Sequence, residues 1–288
     1  MGQFSKPWNE LTFADNYIFC KVMLDEELCK RFIEILLGIQ LDKIEYLNTE
    51  NQIENYYDSR GVRLDVYVKD SDKVFDIEIQ TGDYDDLQLR ARYYQSASDV
   101  ATTKRRTMFK KLKESYILFV CVDDPFGAAI PVYTRTMMFL ETDEISYDDK
   151  SHVVFYNASA YDKVTDNEEL KAVLRFVYEN KSQSEYTDKL EDSSKTAKSR
   201  SEWEDDYMYF QDILEEEKEQ AREIGLAEGR EKGLAEGLAE GREKGLEEGI
   251  NQKAVEDAFA FYKNGVSIEI IAKSLNMSIN EVKQILKQ

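Results

Sequence analysis

Three polar side chains between residues 62 and 81 have the chemistry for hydrolysis at a phosphate ester: Asp65, Glu78 and Gln80. Two carboxylates offer the hard oxygen ligands that Mg²⁺ takes, and Mg²⁺ keeps the rest of its shell as water and substrate phosphate oxygens. An amide one step along a strand could orient a metal-bound water. The alternative is that an acidic chain carries two acids on a solvent-exposed sheet face, and spacing alone does not decide against it.

The alternating pattern VRLDVYVKDSDKVFDIEIQT predicts an antiparallel β-hairpin that brings these residues together. With a two-residue turn at Ser71 and Asp72, the apolar pairs on one face are Leu64 with Ile79, Val66 with Ile77 and Val68 with Phe75. The polar pairs on the other face are Arg63 with Gln80, Asp65 with Glu78 and Tyr67 with Asp76. The Cβ atoms of Asp65 and Glu78 would lie about 4.5–5.5 Å apart, a repulsive pairing that a divalent cation would offset.

Basic and aromatic residues follow the hairpin, where residues 85–113 are predicted to be helical. The first half of this helix offers side chains that could contact a nucleic acid: Arg90, Arg92, Tyr94 and Gln95. In the second half, KRRTMFKKLK, six of ten residues are basic and could contact phosphates: Lys104, Arg105, Arg106, Lys110, Lys111 and Lys113. Such a cluster is needed for a polyanionic partner, because the chain has a formal net charge of −20. For any one of these residues, a solvated helix face is an equally good interpretation.

The motifs occur in a characteristic order: Asp65, a hairpin, Glu78-x-Gln80, and a helix with RYYQ at residues 92–95. They are accompanied by ADNYIFCKVM, SYILFVCVDDPFG, PVYT, HVVFYNASA and a glycine-punctuated charged C-terminal region. This set resembles the Rpn family of recombination-promoting nucleases and transposases, in the PD-(D/E)XK nuclease superfamily. The resemblance covers most of residues 10–215.

The resemblance implies a restriction-endonuclease-like core and Mg²⁺-dependent endonucleolytic cleavage of DNA, with Mn²⁺ as a substitute ion, linked to recombination or mobile elements. It implies that Asp65 and Glu78 are metal ligands and that Gln80 occupies the position of the superfamily's catalytic lysine. Because glutamine carries no charge, the metal ion would do more of the water activation. A further acidic ligand from the opening helices is common in the superfamily, and the candidates are Glu10, Asp15 and Glu34.

A second hypothesis is a DNA-binding or scaffold protein that keeps the nuclease fold with weak or no catalysis. The glutamine at position 80, the negative total charge and a C-terminal unit similar to a helix-turn-helix all support it. RNA cleavage would use the same carboxylate chemistry, and the sequence does not separate it from DNA cleavage.

The scaffold that must position these residues is of the α/β class. Hydrophobic periodicity predicts one or two helices over residues 11–38, strands over 40–48 and 62–80, a helix over 85–113, a buried central strand over 115–122, a strand over 152–157 and an amphipathic helix over 168–180. With the resemblance, we expect a restriction-endonuclease-like mixed sheet flanked by helices. This nuclease domain would occupy residues 1–180 and precede a helical C-terminal extension.

The extension divides into three predicted segments. Residues 181–223 are polar and acidic, as in a linker or a solvated helix. Residues 224–250 repeat LAEG and REKG with a glycine at every fourth position, which indicates either a homo-oligomer contact helix or a charged spacer with i, i+4 pairs. Residues 251–288 predict a helical hairpin with N-caps at Ser267 and Ser278, and its length fits a helix-turn-helix equally well.

The composition excludes several other kinds of site. The single histidine, His152, cannot supply a two-histidine zinc site, and a half-buried strand position explains it. The three cysteines have no CxxC spacing, which favours a reducing cytoplasm. The N-terminal residues lack the apolar segment of a signal peptide, and no run of 18 uncharged apolar residues occurs, so we expect no membrane partner.

Overall fold

The computed structural model describes residues 6–46, 52–53, 62–63, 65–82, 84–103 and 106–287. The chain divides into two compact units, Met1–Leu214 and Glu215–Gln288. All the strands in the described ranges belong to the first unit.

The first unit is built on a six-stranded mixed sheet. Its strands are β1 (Glu45–Tyr46), β4 (Val66–Asp70), β5 (Lys73–Gln80), β6 (Glu114–Cys121), β7 (Val132–Thr134) and β8 (Ser151–Asn157), while β2 (Gln52–Ile53) and β3 (Val62–Arg63) form a separate two-stranded sheet. The order in the large sheet is β1-β4-β5-β6-β8-β7. β6 pairs in parallel with β5 and with β8, and the other pairs are antiparallel. The predicted central strand is therefore confirmed as β6.

Helices lie on both faces of this sheet, which confirms the expected fold class. They are α1 (Asn16–Val22), α2 (Glu26–Leu37), α3 (Leu87–Thr102), α4 (Glu168–Glu179), α5 (Glu185–Lys198) and the first part of α6 (Ser201–Lys263), with short 3₁₀ helices at Trp8–Glu10, Phe109–Lys111 and Ala158–Lys163. Local signals define their ends. The Asp25 carboxylate accepts hydrogen bonds from two N–H groups at the start of α2, and Gly38 ends that helix with a φ of 65°.

The predicted helix over residues 85–113 is shorter than expected, because α3 ends at Thr102. Its last buried side chains are Ala97 and Ser98, so the final turn of α3 has no buried side chain to hold further helical turns on the sheet. Two threonines, which are weak helix formers, follow at positions 102 and 103. The basic run therefore lies after α3 rather than on it.

Strand alternation separates two cores. On β5, Phe75, Ile77 and Ile79 face a large core formed with α1, α2, α4 and α5. The opposite face of β5 carries Asp76 and Glu78 and is covered by α3, whose Leu87 and Ala91 pack against β6. The polar face of the hairpin is thus inside the molecule.

Residues 185–214 contribute to the large core of the first unit. Tyr186 is buried and donates its hydroxyl to the Leu28 carbonyl at 2.7 Å, and Leu190 is fully buried. Tyr207 packs against the rings of Trp8 and Tyr17, with centroids 5.6 Å and 5.2 Å away. The apolar residues of this acidic segment are few and widely spaced, so its sequence shows little of the helical periodicity that would have predicted this packing.

The second unit contains the rest of α6 followed by α7 (Ile268–Ser274) and α8 (Ile279–Lys287). The glycine repeat is helical throughout, and an added Cβ at any of its glycines would have no neighbour within 4 Å. Two of the expected i, i+4 pairs form, Lys232 with Glu236 and Lys244 with Glu240.

A small apolar core joins the end of α6 to α7 and α8 through Ala258, Ile271 and Val282. Ser278 and Glu281 form the predicted capping box, with hydrogen bonds of 2.7 Å and 3.2 Å between side chain and backbone. Asn276, with a φ of 54°, makes the turn between α7 and α8.

Two further expectations concern the whole chain. Cys20, Cys29 and Cys121 all carry free thiols. Within the described ranges, none of the helices combines the length and the apolar character needed to cross a bilayer.

Candidate active site

The β4–β5 hairpin has the register that its alternation predicts. The paired residues are Val66 with Ile77, Tyr67 with Asp76, Val68 with Phe75, Lys69 with Val74 and Asp70 with Lys73. Ser71 and Asp72 therefore form the two-residue turn, and Ser71 has the positive φ of 51° that such turns require.

The ladder starts later than predicted, at Val66, because the chain bends at Asp65. The predicted pairing of Arg63 with Gln80 is wrong, since Arg63 pairs with Gln52 in the separate small sheet. The predicted pair of Leu64 lies outside the described residues. The bend carries the chain before Asp65 away from β5.

Asp65 and Glu78 are nevertheless neighbours, joined by hydrogen bonds to each other's strand. The Asp65 N–H donates to Glu78 Oε1 at 2.9 Å, and the Ile79 N–H donates to Asp65 Oδ2 at 3.1 Å. The main chain of each strand thus holds the carboxylate of the other. The two side chains are fixed more firmly than an ordinary cross-strand pair, in which only the side chains would meet.

Both carboxyl groups are buried under α3. The exposed fraction is 5% for Asp65 and 2% for Glu78, so neither lies on a solvent-exposed sheet face. Burial raises the pKa of Glu78 well above its usual range, and the charges of Asp65 and Asp76 raise it further. The hydrogen bond from the Asp65 backbone and the Arg90 charge act in the opposite direction. The site therefore concentrates buried acidic groups whose ionised forms a bound cation would stabilise.

Asp76 is a site residue to which the sequence analysis assigned no role. It is completely buried, and this burial together with the Asp65 charge raises its pKa well above the usual range. With Glu78 ionised, neither Asp76 oxygen has a hydrogen-bond donor among the described residues. A protonated Glu78 can donate to Asp76, which lowers the pKa of Asp76. Asp76 lies two residues before Glu78 and therefore on the same strand face, and this spacing could have identified it as a site residue from the sequence.

Gln80 and Arg90 form a unit beside the acids. Both terminal guanidinium nitrogens of Arg90 donate to Gln80 Oε1 at 3.2 Å, and its Nε lies 2.9 Å from an Asp86 carboxylate oxygen. The arginine is therefore held at two places, by the strand end and by the first turn of α3. Because the Gln80 carbonyl oxygen accepts from Arg90, the amide nitrogen is the end of this side chain that the arginine does not engage.

The other predicted residues of α3 are divided between its two faces. Tyr94 stacks on Phe119 of β6, with ring centroids 6.0 Å apart, and burial followed by the charge of Glu78 raises its pKa. Gln95 is buried and donates Nε2 to the Ser115 hydroxyl, so it faces the sheet. Arg92 is exposed on the opposite face of the helix. The structure thus places Tyr94 near the acids and leaves Gln95 away from the surface.

The acids considered in the opening helices are engaged elsewhere. Asp15 accepts from the Lys6 ammonium group and from Thr12, and Glu34 accepts from the Leu41 N–H. Glu10 is exposed. The contact of α1 with the site is made instead by Cys20, whose thiol donates to the Asp65 carbonyl at 3.3 Å.

The predicted basic cluster lies at the other end of α3. Arg106, Lys110 and Lys111 are exposed there, and Lys104 and Arg105 lie outside the described residues. This region precedes the start of β6, which pairs with the start of β5. Glu78 is five residues further along β5, about 16 Å at 3.3 Å per residue.

The donor set fits a hard divalent cation. Within the described part of the chain, no group of three or more His, Cys, Asp or Glu side chains forms a complete metal site. Asp65 and Glu78 supply carboxylate oxygens, and Mg²⁺ is commonly held by one or two carboxylates with water and phosphate in the other positions. Asp76 beside them is a third buried carboxyl group whose oxygens have no hydrogen-bond donor among the described residues, and a bound cation would favour its ionised form.

Comparison with known proteins identifies a family. A family profile described as PD-(D/E)XK nuclease family transposase matches residues 12–229, which include the complete sheet, α3 and the hairpin. Neither the curated proteins nor the solved structures contain a match. The profile covers more than half of the chain. The chain therefore belongs to the PD-(D/E)XK nuclease family of transposases.

Proposed function

We propose that this protein is a Mg²⁺-dependent endonuclease that hydrolyses phosphodiester bonds of DNA in recombination or in the movement of mobile elements. Its family supports a nuclease-like hydrolase acting on DNA with a divalent metal ion. The observation that carries the proposal is the buried Asp65–Glu78 pair, in which each carboxylate accepts a hydrogen bond from the main chain of the opposite strand. A purely structural pair of acids at this depth would cost stability without an ion.

Asp65 and Glu78 would hold the metal ion. When bound, Mg²⁺, or Mn²⁺ in its place, supplies Lewis-acid stabilisation of phosphate charge and a more acidic water. The protein contributes a dry and rigid setting, because α3 covers the carboxylates and the hydrogen bonds fix them before substrate arrives.

Gln80 and Arg90 share the work that a lysine does in related nucleases. The Gln80 amide nitrogen can donate to the attacking water or to a phosphate oxygen and so orient it. Arg90 holds the amide in place and brings the positive charge that glutamine lacks. Neither side chain is a base at neutral pH, so we assign both to orientation and charge stabilisation.

The remaining predicted residues position DNA. Arg92 and the exposed cations beyond α3 are suited to phosphate contacts, and Tyr94 lines the acidic site. We extend the same role to Lys104 and Arg105 from the sequence alone. Gln95 is buried against Ser115, so we assign it to holding α3 on the sheet instead.

Plasmid nicking tests the proposal. We expect Asp65→Asn and Glu78→Gln each to lower the Mg²⁺-dependent rate by at least about 100-fold, the usual order for loss of a preorganised electrostatic group. The exposed acid Asp143 provides a matched control, and Asp143→Asn should cleave like wild type. Tryptophan fluorescence would verify folding of each variant. Undiminished cleavage by both site variants would disprove the assignment.

A second candidate function is a nuclease-fold protein that binds DNA with little or no cleavage. It is favoured by the pairing of Gln80 with Arg90 at the lysine position, because neither an amide nor a guanidinium can accept a proton from water. Calorimetric titration with Mg²⁺ beside a gel-shift titration over salt separates the two. Salt-sensitive DNA binding without metal uptake favours the second function, whereas metal uptake with nicking favours the first.

We also propose that the glycine-repeat part of α6 joins copies of the chain in a homo-oligomer. Leu226, Leu234, Leu238 and Leu246 are exposed along this helix beside glycines that have no neighbour within 4 Å. Seven glycines cost on the order of 7 kcal/mol relative to alanine, and packing against a partner would offset this. The three free thiols fit the cytoplasmic location expected from the sequence.

A further inference from the structure

The segment from Arg106 to Lys113, which we call the basic tip, presents an aromatic ring among cations. Phe109 begins a short 3₁₀ helix, Phe109–Lys111, and its exposed fraction is 86%. Met108 beside it is 54% exposed. Arg106, Lys110 and Lys111 are exposed around them. The tip therefore offers both apolar surface and positive charge to solvent.

The charges of the tip are available to a ligand. Among the described residues, Arg106, Lys110 and Lys111 enter no salt bridge. Phe109 also has no apolar partner in the described cores, so the ring gains nothing from the fold.

The tip and the candidate active site lie at opposite ends of α3. From Arg90 to Thr102 the helix rises about 18 Å at 1.5 Å per residue. The β5 path gives a similar separation, because Glu78 lies about 16 Å from Lys73, whose strand partner Glu114 follows the tip directly. A ligand that reaches both places must therefore span about 16–18 Å.

The surface between these two places is suited to a nucleic acid. The outward face of α3 shows Arg92, Tyr93 and Ser96, and Asp99, which is half-buried, is the one acid of this helix. A neutral or basic protein surface would gain little from three unpaired cations. A nucleic acid offers phosphates to the cations and flat bases to the ring, which matches the mixed character of the tip.

We propose that Phe109 stacks on a base of the nucleic-acid substrate about 16–18 Å from the cleaved phosphate, while Arg106, Lys110 and Lys111 hold the flanking phosphates. This inference rests on the proposed nuclease function for the identity of the ligand. It adds a base contact that does not depend on sequence, since every base has a face on which a phenyl ring can stack.

Fluorescence of 2-aminopurine in a DNA oligonucleotide tests the stacking directly. The full-length protein is titrated in EDTA, so binding is measured without cleavage, with single-stranded and duplex oligonucleotides that carry the probe at successive positions. We expect quenching at one position with wild type and with Phe109→Trp. Phe109→Ala should abolish the quenching and weaken binding about 10-fold, equivalent to about 1.4 kcal/mol. Phe109→Leu, which keeps apolar bulk, should resemble Phe109→Ala.

The double variant Lys110→Ala with Lys111→Ala is the matched control for charge. It should weaken binding and reduce the slope of log affinity against log salt by roughly 1.4 to 1.8, whereas Phe109→Ala should leave that slope unchanged. Because these side chains are exposed, the variants are expected to fold. Unaltered affinity and quenching in Phe109→Ala, with DNA binding intact, would overturn the stacking proposal and leave the nuclease proposal standing.

Two other results are distinguishable. Loss of nicking in a protein that still shows Phe109-dependent quenching would refute the nuclease proposal but support this contact. Phe109-dependent binding to vesicles with anionic lipid, together with unaltered DNA binding in the variant, would identify the tip as a membrane contact and overturn the proposal.

Discussion

Replacing Asp76 by asparagine should make the metal-free protein lose less stability as pH rises. Asp76 is fully buried, and burial followed by the Asp65 charge raises its pKa well above the ordinary value. In the unfolded chain the same carboxyl ionises near pH 3.8. The folded state therefore holds a proton that the unfolded state has lost. Its contribution to stability is complete below the unfolded pKa and disappears as pH rises to the folded pKa.

The size of the effect follows from proton linkage. One such carboxyl changes the free energy of unfolding by about 1.4 kcal/mol per pH unit inside this window. The pKa of Glu78 is raised in the same way, so wild type without metal should lose up to about 2.8 kcal/mol per pH unit. Asp76→Asn should lose about half of that. A buried amide with unmet hydrogen bonds costs about 1–3 kcal/mol, but this cost does not vary with pH.

Urea unfolding in EDTA at about pH 5, 6 and 7 measures these slopes. Both tryptophans, Trp8 and Trp203, lie in the first unit, so their fluorescence reports its unfolding without a contribution from the second unit. The exposed control Asp143→Asn should follow wild type. If Asp76→Asn and wild type lose stability in parallel, Asp76 is ionised in the folded metal-free protein, and its burial does not keep it protonated.

Two further predictions test the arginine and the glycine repeat. Arg90→Lys keeps the charge but cannot donate to the Gln80 carbonyl oxygen from two nitrogens at once. The single-turnover cleavage rate should therefore fall about 10- to 100-fold at saturating Mg²⁺, while calorimetry shows unchanged metal affinity. An unaltered rate would contradict the positioning role of Arg90. If the glycines of α6 form the oligomer contact, Gly237→Ala should lower the molar mass of the protein measured by sedimentation equilibrium. If the repeat is a solvated spacer, the molar mass should equal that of wild type and α6 should be stabilised by about 1 kcal/mol.

Much of the fold could be predicted because the signals are local. The run SYILFVCV is apolar on both faces of a strand, so it predicts burial on both sides, and it forms β6 in the middle of the sheet. The hairpin register followed from the alternation of apolar and polar residues. A slip of one residue would replace Phe75 and Ile77 on the apolar face by their charged neighbours. The helix after the hairpin was predicted to be too long, because periodicity does not show where packing stops.

The candidate site was less predictable than the fold. The spacing of the acids along the sequence suggested Asp65 and Glu78, but a solvent-exposed pair of acids would have the same spacing. The bend at Asp65 depends on the chain leaving the hairpin for another sheet, which no alternation reveals. In the sequence, Asp76 is an acid on the same predicted strand face as Glu78. Only the packing of α3 over this face shows that these acids are buried and not exposed.

By itself, the sequence determined which residues share the polar face of the hairpin, which strand is central and which family the motifs resemble. These properties depend on side-chain periodicity and on the order of residues along the chain. Only the tertiary structure decided that α3 buries the acids, that Arg90 binds Gln80 and that the basic tip lies a helix length from the carboxylates. Each of these depends on contacts between segments whose relative position is set by packing, and packing is a property of the whole first unit.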